Sequence, residues 1–128
     1  MSGIQLNLIV LDGDFAVSRL APQERIPQWV PEAGFVSVTR TADEISIVCP
    51  AEVVPDGVKS EGDFTVLKID GPLDFSLTGI LLAVARPLAD AGISIFALST
   101  YDTDYVLVRT GDLAEAVPVL RAFGHRVR

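Results

Sequence analysis

The spacing of apolar positions changes several times along this chain, and each change marks an element. Residues 93–98 and 105–108 are short, β-rich apolar arms on either side of the polar run Ser99, Thr100, Tyr101, Asp102, Thr103, Asp104. Arms of that length read as strands and the link as a hairpin turn. Residues 75–91 instead place Leu77, Leu81, Val84 and Leu88 at spacings of three and four, the stripe of an amphipathic helix. Pro87 removes a backbone donor inside that helix, and Gly92 stands where a C-cap glycine ends one. Residues 113–123 read as a second helix, with Asp112 as N-cap, Pro118 inside and Gly124 after the end.

The first half is patterned differently. Residues 35–39 and 45–48 form a predicted hairpin around Arg40, Thr41, Ala42, Asp43 and Glu44. Residues 21–31 hold three prolines, which forbid a long helix, and Trp29 there is expected to plug a core under a long loop. Residues 55–62 read as a linker, with Asp56-Gly57 and Glu61-Gly62 as turn signals.

The two halves resemble one another. Ile9, Val10, Leu11, Asp12, Gly13 precede Leu67, Lys68, Ile69, Asp70, Gly71 by 58 positions, each an apolar run closed by Asp-Gly. Ala51, Glu52, Val53, Val54, Pro55 precede Ala114, Glu115, Ala116, Val117, Pro118 by 63 positions, and the two hairpins lie between in the same order. The repeated unit reads as strand, turn, helix or loop, hairpin, short helix, strand. That is an α+β arrangement, the ferredoxin-like βαββαβ unit with antiparallel sheets, present as a tandem duplication. The expected division is 1–62 for a degenerate first unit and 63–128 for the second. Residues 93–98 are apolar on both faces, and a strand of that kind is covered on both. One cover is the helices of its own unit, and the other is a sheet of the first copy or of a second chain, so a homodimer is expected.

At 128 residues, half of them apolar, the chain can bury an adequate core without disulfides or metals. Cys49 is alone, excluding an intrachain disulfide, and reads as a buried inert thiol. Met1 to Gln5 carry no basic leader, and the longest apolar stretch stops at Arg86 and Pro87, so the reading is cytoplasmic with no membrane span. Seventeen acids against ten bases give a net charge of −7, which repels phosphate polymers and anionic membranes and excludes nucleic acid as a partner. The bases clustered at the tail, Arg121, Arg126 and Arg128 with His125 among them, read as a solvated end.

Two segments can carry ligand chemistry. The turn Asp70, Gly71, Pro72, Leu73, Asp74, Phe75 joins a strand to the main helix. Gly71 permits close backbone approach, the free N–H groups of a helix start suit a carboxylate, and Asp70 or Asp74 suits an ammonium. An α-amino acid carries both charges. The plain structural reading gives Asp74 a capping role and Gly71 a turning role. The hairpin turn adds the hydroxyls of Ser99 and Thr100, the flat face of Tyr101 and the carboxylates of Asp102 and Asp104, all of which are also ordinary turn chemistry. Catalysis finds no support: Asp102 and Asp104 alternate and are expected on opposite faces, and one tail histidine cannot build a triad or metal cluster. No phosphate loop or cofactor motif is present.

The stretch from Phe64 to Arg109, and the segment Ser99 to Asp104 above all, resembles the regulatory ACT modules of aspartate kinases and the cytosolic arginine-sensor proteins built from that module. In those sensors a Thr-aromatic-x-x-Asp pattern contributes to the amino-acid pocket, matched here by Thr100, Tyr101 and Asp104. The resemblance implies that the strand-to-helix turn and the hairpin turn converge on one site, shared across a module or chain interface. Gly71 and the amides of Leu73 to Phe75 would take a carboxylate there. Asp104, with Asp70 or Asp102, would take the cation, and Thr100 and Tyr101 would shape the pocket. It implies a regulatory amino-acid-binding protein that signals to a protein partner; the expected departure from the aspartate kinases is that no catalytic domain is attached in this chain. The alternative is an interaction module that kept the fold and binds no ligand.

Overall fold

The computed structural model describes residues 4–74 and 77–128. The chain folds as two compact units: residues through Asp12 with Thr65–Arg128, and Gly13–Phe64. A linear division at Gly62 is therefore not how the compact units form, because the first strand joins the C-terminal portion.

That composite unit holds β1 (Asn7–Val10), the last part of β5 (Lys59–Ile69), α1 (Ile80–Asp90), β6 (Ile95–Ser99), β7 (Asp104–Arg109), α2 (Leu113–Ala122) and β8 (Arg126–Val127). From β5 onward the order is βαββαβ, the ferredoxin-like unit. The strands lie in the order β6-β7-β5-β1-β8, so β1 occupies a place between β5 and β8. β1 pairs antiparallel with β5 through Leu8–Ile69, Ile9–Lys68 and Val10–Leu67, and parallel with β8 through Asn7–Arg126 and Leu8–Val127. The two Asp-Gly-terminated apolar runs thus lie side by side in one sheet.

Alternation explains the core. Leu6 and Leu8, Leu67 and Ile69, Val106 and Val108, and Val127 point to one face, where they pack with Ala83, Val84 and Leu88 of α1 and Ala116 and Leu120 of α2. The α1 stripe is realised at Leu81, Val84 and Leu88, but the helix starts later than expected. Its N-cap is Gly79 at φ 76°, and Leu77 precedes the helix with 52 % of its surface exposed. The expected helical residue Phe75 lies outside the described residues. Gly92, at φ 77°, follows α1 as expected, and Gly124 follows α2 at φ 111°. A 3-10 turn, Thr110–Asp112, leads into α2, and Asp112 makes no side-chain cap bond.

The tail departs from its expected solvated state. Arg126 and Val127 form β8, the Arg128 N–H donates to Leu8 O at 2.9 Å, and Arg121 Nη2 donates to Val127 O at 2.8 Å. His125 is 3 % exposed. Its Nδ1 accepts from the Leu6 N–H at 3.1 Å, and its Nε2 stands 2.7 Å from Ala83 O. A carbonyl only accepts, so Nε2 carries the proton and the ring is the neutral Nε2–H tautomer.

The unit Gly13–Phe64 is an antiparallel sheet in the order β3 (Ser37–Arg40), β4 (Ile45–Pro50), β2 (Phe15–Leu20) and the first part of β5. The β3–β4 hairpin follows the sequence expectation. Strand β2 has no counterpart among the expected elements, and Lys59 to Gly62, expected as linker, belong to β5. No α-helix is described here; a 3-10 turn, Ala51–Val53, stands where the short helix is expected. Ile45, Ile47 and Cys49 are fully buried and are packed by Leu20, Trp29, Val30 and Val36, so Trp29 plugs this core. Burial pushes the Cys49 thiol pKa up from its ordinary value of 9.0.

Candidate functional site

The hairpin that closes the candidate site is built locally. β6 and β7 pair in register from Ile95–Val108 to Ser99–Asp104, which leaves residues 100–103 as the turn. Thr100 ties that turn, its N–H donating to Thr103 O at 2.8 Å and its hydroxyl to the same oxygen at 3.0 Å. Two further bonds fix the turn to the end of β5 and the segment after it. Thr103 Oγ1 donates to Ile69 O at 2.6 Å, and the Leu73 N–H donates to Asp102 O at 2.7 Å. Thr103 is 5 % exposed, so its bond is shielded from water. Between these anchors runs the Gly71–Pro72 cis peptide.

A cavity of about 230 Å³ opens where these parts meet. Leu73, Asp74, Leu77 and Ile80 line it from the strand-to-helix segment, and Ser99 through Asp104 line it from the hairpin. The two segments meet within one compact unit, whereas the resemblance implies a site shared across a module or chain interface. Asp102 sits in the turn rather than on a strand, so alternation does not separate it from Asp104, and both face the cavity.

The lining is electrostatically one-sided. Asp74, Asp102 and Asp104 supply three carboxylates, and no Lys, Arg or His lines the cavity among the described residues. Ser99 Oγ donates to Asp104 Oδ1 at 2.6 Å, which orients that carboxylate and leaves its second oxygen for another donor. Tyr101, 81 % exposed, stands at the rim. A site of this charge favours an ammonium or guanidinium group over an anion.

Three expected site residues are placed otherwise. Asp70 is absent from the lining, and its Oδ2 lies 3.4 Å from Arg128 Nη2. Gly71 also stands outside the lining. A Cβ on it would come within 3.1 Å of Thr103 Cβ and 3.2 Å of Asp102 O, so its smallness serves the approach of the hairpin. The Leu73 N–H, expected to hold a carboxylate, is already bonded to Asp102 O. The helix start matters too: with α1 beginning at Ile80, its first unpaired N–H groups belong to residues beside the cavity rather than to residues 73–75. Sequence reasoning misses Leu77, Ile80 and Thr103 as lining. Thr103 is visible there only as a turn threonine, and nothing local marks its bond to Ile69.

A model of the ACT domain matches residues 59–122, and a second model, of an N-terminal domain, matches residues 13–57. The chain is 30 % identical over 97 residues to the Bos taurus protein named cytosolic arginine sensor for mTORC1 subunit 1, an alignment covering 67 % of this chain and 30 % of that one. It spans less than half the length of the curated relatives it matches, 48 % and 30 % of two of them. The crystal structure of Agrobacterium tumefaciens protein Atu0741 superposes with a TM-score of 0.93 at 40 % identity, covering 98 % of this chain and 94 % of that one. The regulatory subunit of Thermus thermophilus aspartate kinase shares the fold, with a TM-score of 0.62 at 10 % identity over 94 % of this chain and 98 % of that one. With half its length matched by the domain model and the βαββαβ order traced in its strands, the chain belongs to the ACT-domain family.

Proposed function

We propose that this protein is a regulatory sensor without catalytic activity, and that its ligand is a small amino acid or related zwitterion held in the hairpin cavity. The observation that carries the reading is the meeting of Leu73, Asp74, Leu77 and Ile80 with the Ser99–Asp104 turn around a space lined by three carboxylates and, among the described residues, no base. Asp104, oriented by Ser99, takes the ammonium or a cationic side chain, with Asp102 and Asp74 in support. Thr100 and Tyr101 shape the wall. The first N–H groups of α1, next to Ile80, take the carboxylate, since the Leu73 amide is engaged. The protein acts in the cytoplasm as a homodimer, away from nucleic acid and membrane, and passes ligand occupancy to a regulated protein partner through a change in association. The arginine-sensor name of one relative supports this class of ligand.

A second reading has one observation in its favour. Leu77 and Tyr101 line the same cavity and are 52 % and 81 % exposed, as the apolar rim of a protein-interaction module would be. Thermal unfolding of the full chain with each of the twenty amino acids at millimolar concentration separates the two. A ligand bound only by the native state at 100 times its Kd adds about 2.7 kcal/mol, a readily measured rise in Tm. A rise with at least one amino acid supports the sensor. No rise with any favours the interaction module.

A further inference from the structure

We infer that the Gly13–Phe64 unit carries a second small-ligand site, on its own sheet face, selective for a zwitterion with a single carboxylate, such as a small α-amino acid. This site is independent of the hairpin cavity and of the function proposed for it. A cavity of about 170 Å³ lies over β2, β4 and β5, with Val17, Arg19, Ser46, Lys59, Glu44 and Glu61 in its lining.

Strand register explains why these side chains meet. Arg19 pairs with Lys59 of β5 on one side and with Ser46 of β4 on the other, so a row of cation, cation and hydroxyl crosses the sheet on one face. Val17 pairs with Glu61 one row along, giving an apolar floor beside a carboxylate. Like charges directly opposite on neighbouring strands destabilise the pair. Neither Arg19 nor Lys59 has a carboxylate within ion-pair distance among the described residues. Arg19 is instead held by its Nη2 donating to Asp43 O at 2.9 Å, which fixes the guanidinium and leaves its other donors available.

A carboxylate seated between Arg19 and Lys59 relieves that repulsion and accepts charge-assisted bonds from both, with the Ser46 hydroxyl on its flank. Glu44 and Glu61 decide the class of anion: both repel a dianion, and Glu44 supplies the counter-charge for an ammonium, so the lining matches a zwitterion.

The test uses the full isotope-labelled chain titrated with glycine and followed by its amide NMR resonances, with acetate, methylamine and inorganic phosphate as comparison probes. Glycine is expected to move the Arg19, Ser46 and Lys59 resonances along saturable curves, more tightly than acetate or methylamine. The Arg19→Gln, Lys59→Gln double variant is expected to raise the glycine Kd at these residues at least about tenfold, while Asp104→Ala leaves it unchanged. If the double variant fails to fold, Lys59→Gln alone, at an exposed position that keeps the Arg19 tie to Asp43, serves in its place with the same direction of change. The site is ruled out by the absence of saturable shifts at these residues, by shifts that survive the charge-removing variant, or by phosphate or acetate binding as tightly as glycine.

Discussion

Ser99 Oγ donates to Asp104 Oδ1 at 2.6 Å across the last registered pair of the β6–β7 hairpin, at the mouth of the cavity. The contact is exposed, so it contributes orientation more than stability. Asp104→Ala is expected to fold with a Tm close to that of the parent and to lose most of the thermal response to whichever amino acid raises it. Ser99→Ala keeps the charge and loses the orientation, so a weakening of about threefold to tenfold in Kd is expected, the scale of one hydrogen bond. Calorimetric titration of both variants measures this. An undiminished response in Asp104→Ala rules out its role.

The Thr103 hydroxyl anchors the turn to Ile69 O from a nearly water-free position. Thr103→Val preserves shape and removes the donor, and is expected to cost about 1–3 kcal/mol in urea unfolding, with Thr103→Ser recovering part of it. Because the same bond places the cavity wall, ligand affinity should fall with Thr103→Val as well.

His125 joins three elements distant in sequence. It accepts from Leu6 beside the N-terminal strand and donates to Ala83 of α1. His125→Phe fills the space and leaves a buried N–H and a buried C=O without partners, for an expected loss of about 2–5 kcal/mol. His125→Gln, which offers both a donor and an acceptor, is expected to lose less. Chemical denaturation of the two variants distinguishes this from a merely space-filling role, for which phenylalanine would be the better replacement.

Cys49 is fully buried, and its thiol pKa is raised by that burial. The folded chain therefore holds its proton to higher pH than the unfolded chain. The resulting stability is present in full below the unfolded value and is lost as pH rises past about 9.0 toward the folded one. Over that window Cys49→Ala is expected to lose stability less steeply than the parent, by up to about 1.4 kcal/mol per pH unit. Thiol-reactive reagents should label Cys49 only on unfolding; rapid labelling of the native chain would contradict its burial.

The hairpin at residues 93–108 is legible in the sequence because alternation and turn chemistry are local. The same holds for β3–β4 and for the body of both helices. The start of α1 is not, since Leu77 keeps the helical spacing while Gly79 in the left-handed region sets the boundary. Strand β2 escapes notice because nothing near Phe15–Leu20 shows that β4 and β5 flank it. Within the candidate site, the meeting of Asp74 with the hairpin agrees with expectation, whereas the engagement of the Leu73 amide and the pairing of Asp70 with Arg128 do not. Each of those contacts joins residues many positions apart.

The sequence by itself determined the two hairpins, the bodies of both helices, the repeated Asp-Gly runs and the acidic character of the turn, all of which follow from short-range period and side-chain chemistry. Only the tertiary structure decided that β1 lies between β5 and β8, that His125 is buried, and that compactness gathers the first strand with Thr65–Arg128. Strand pairing and burial are set by which distant backbone groups exchange hydrogen bonds and which apolar faces exclude water together, and no local pattern carries that choice.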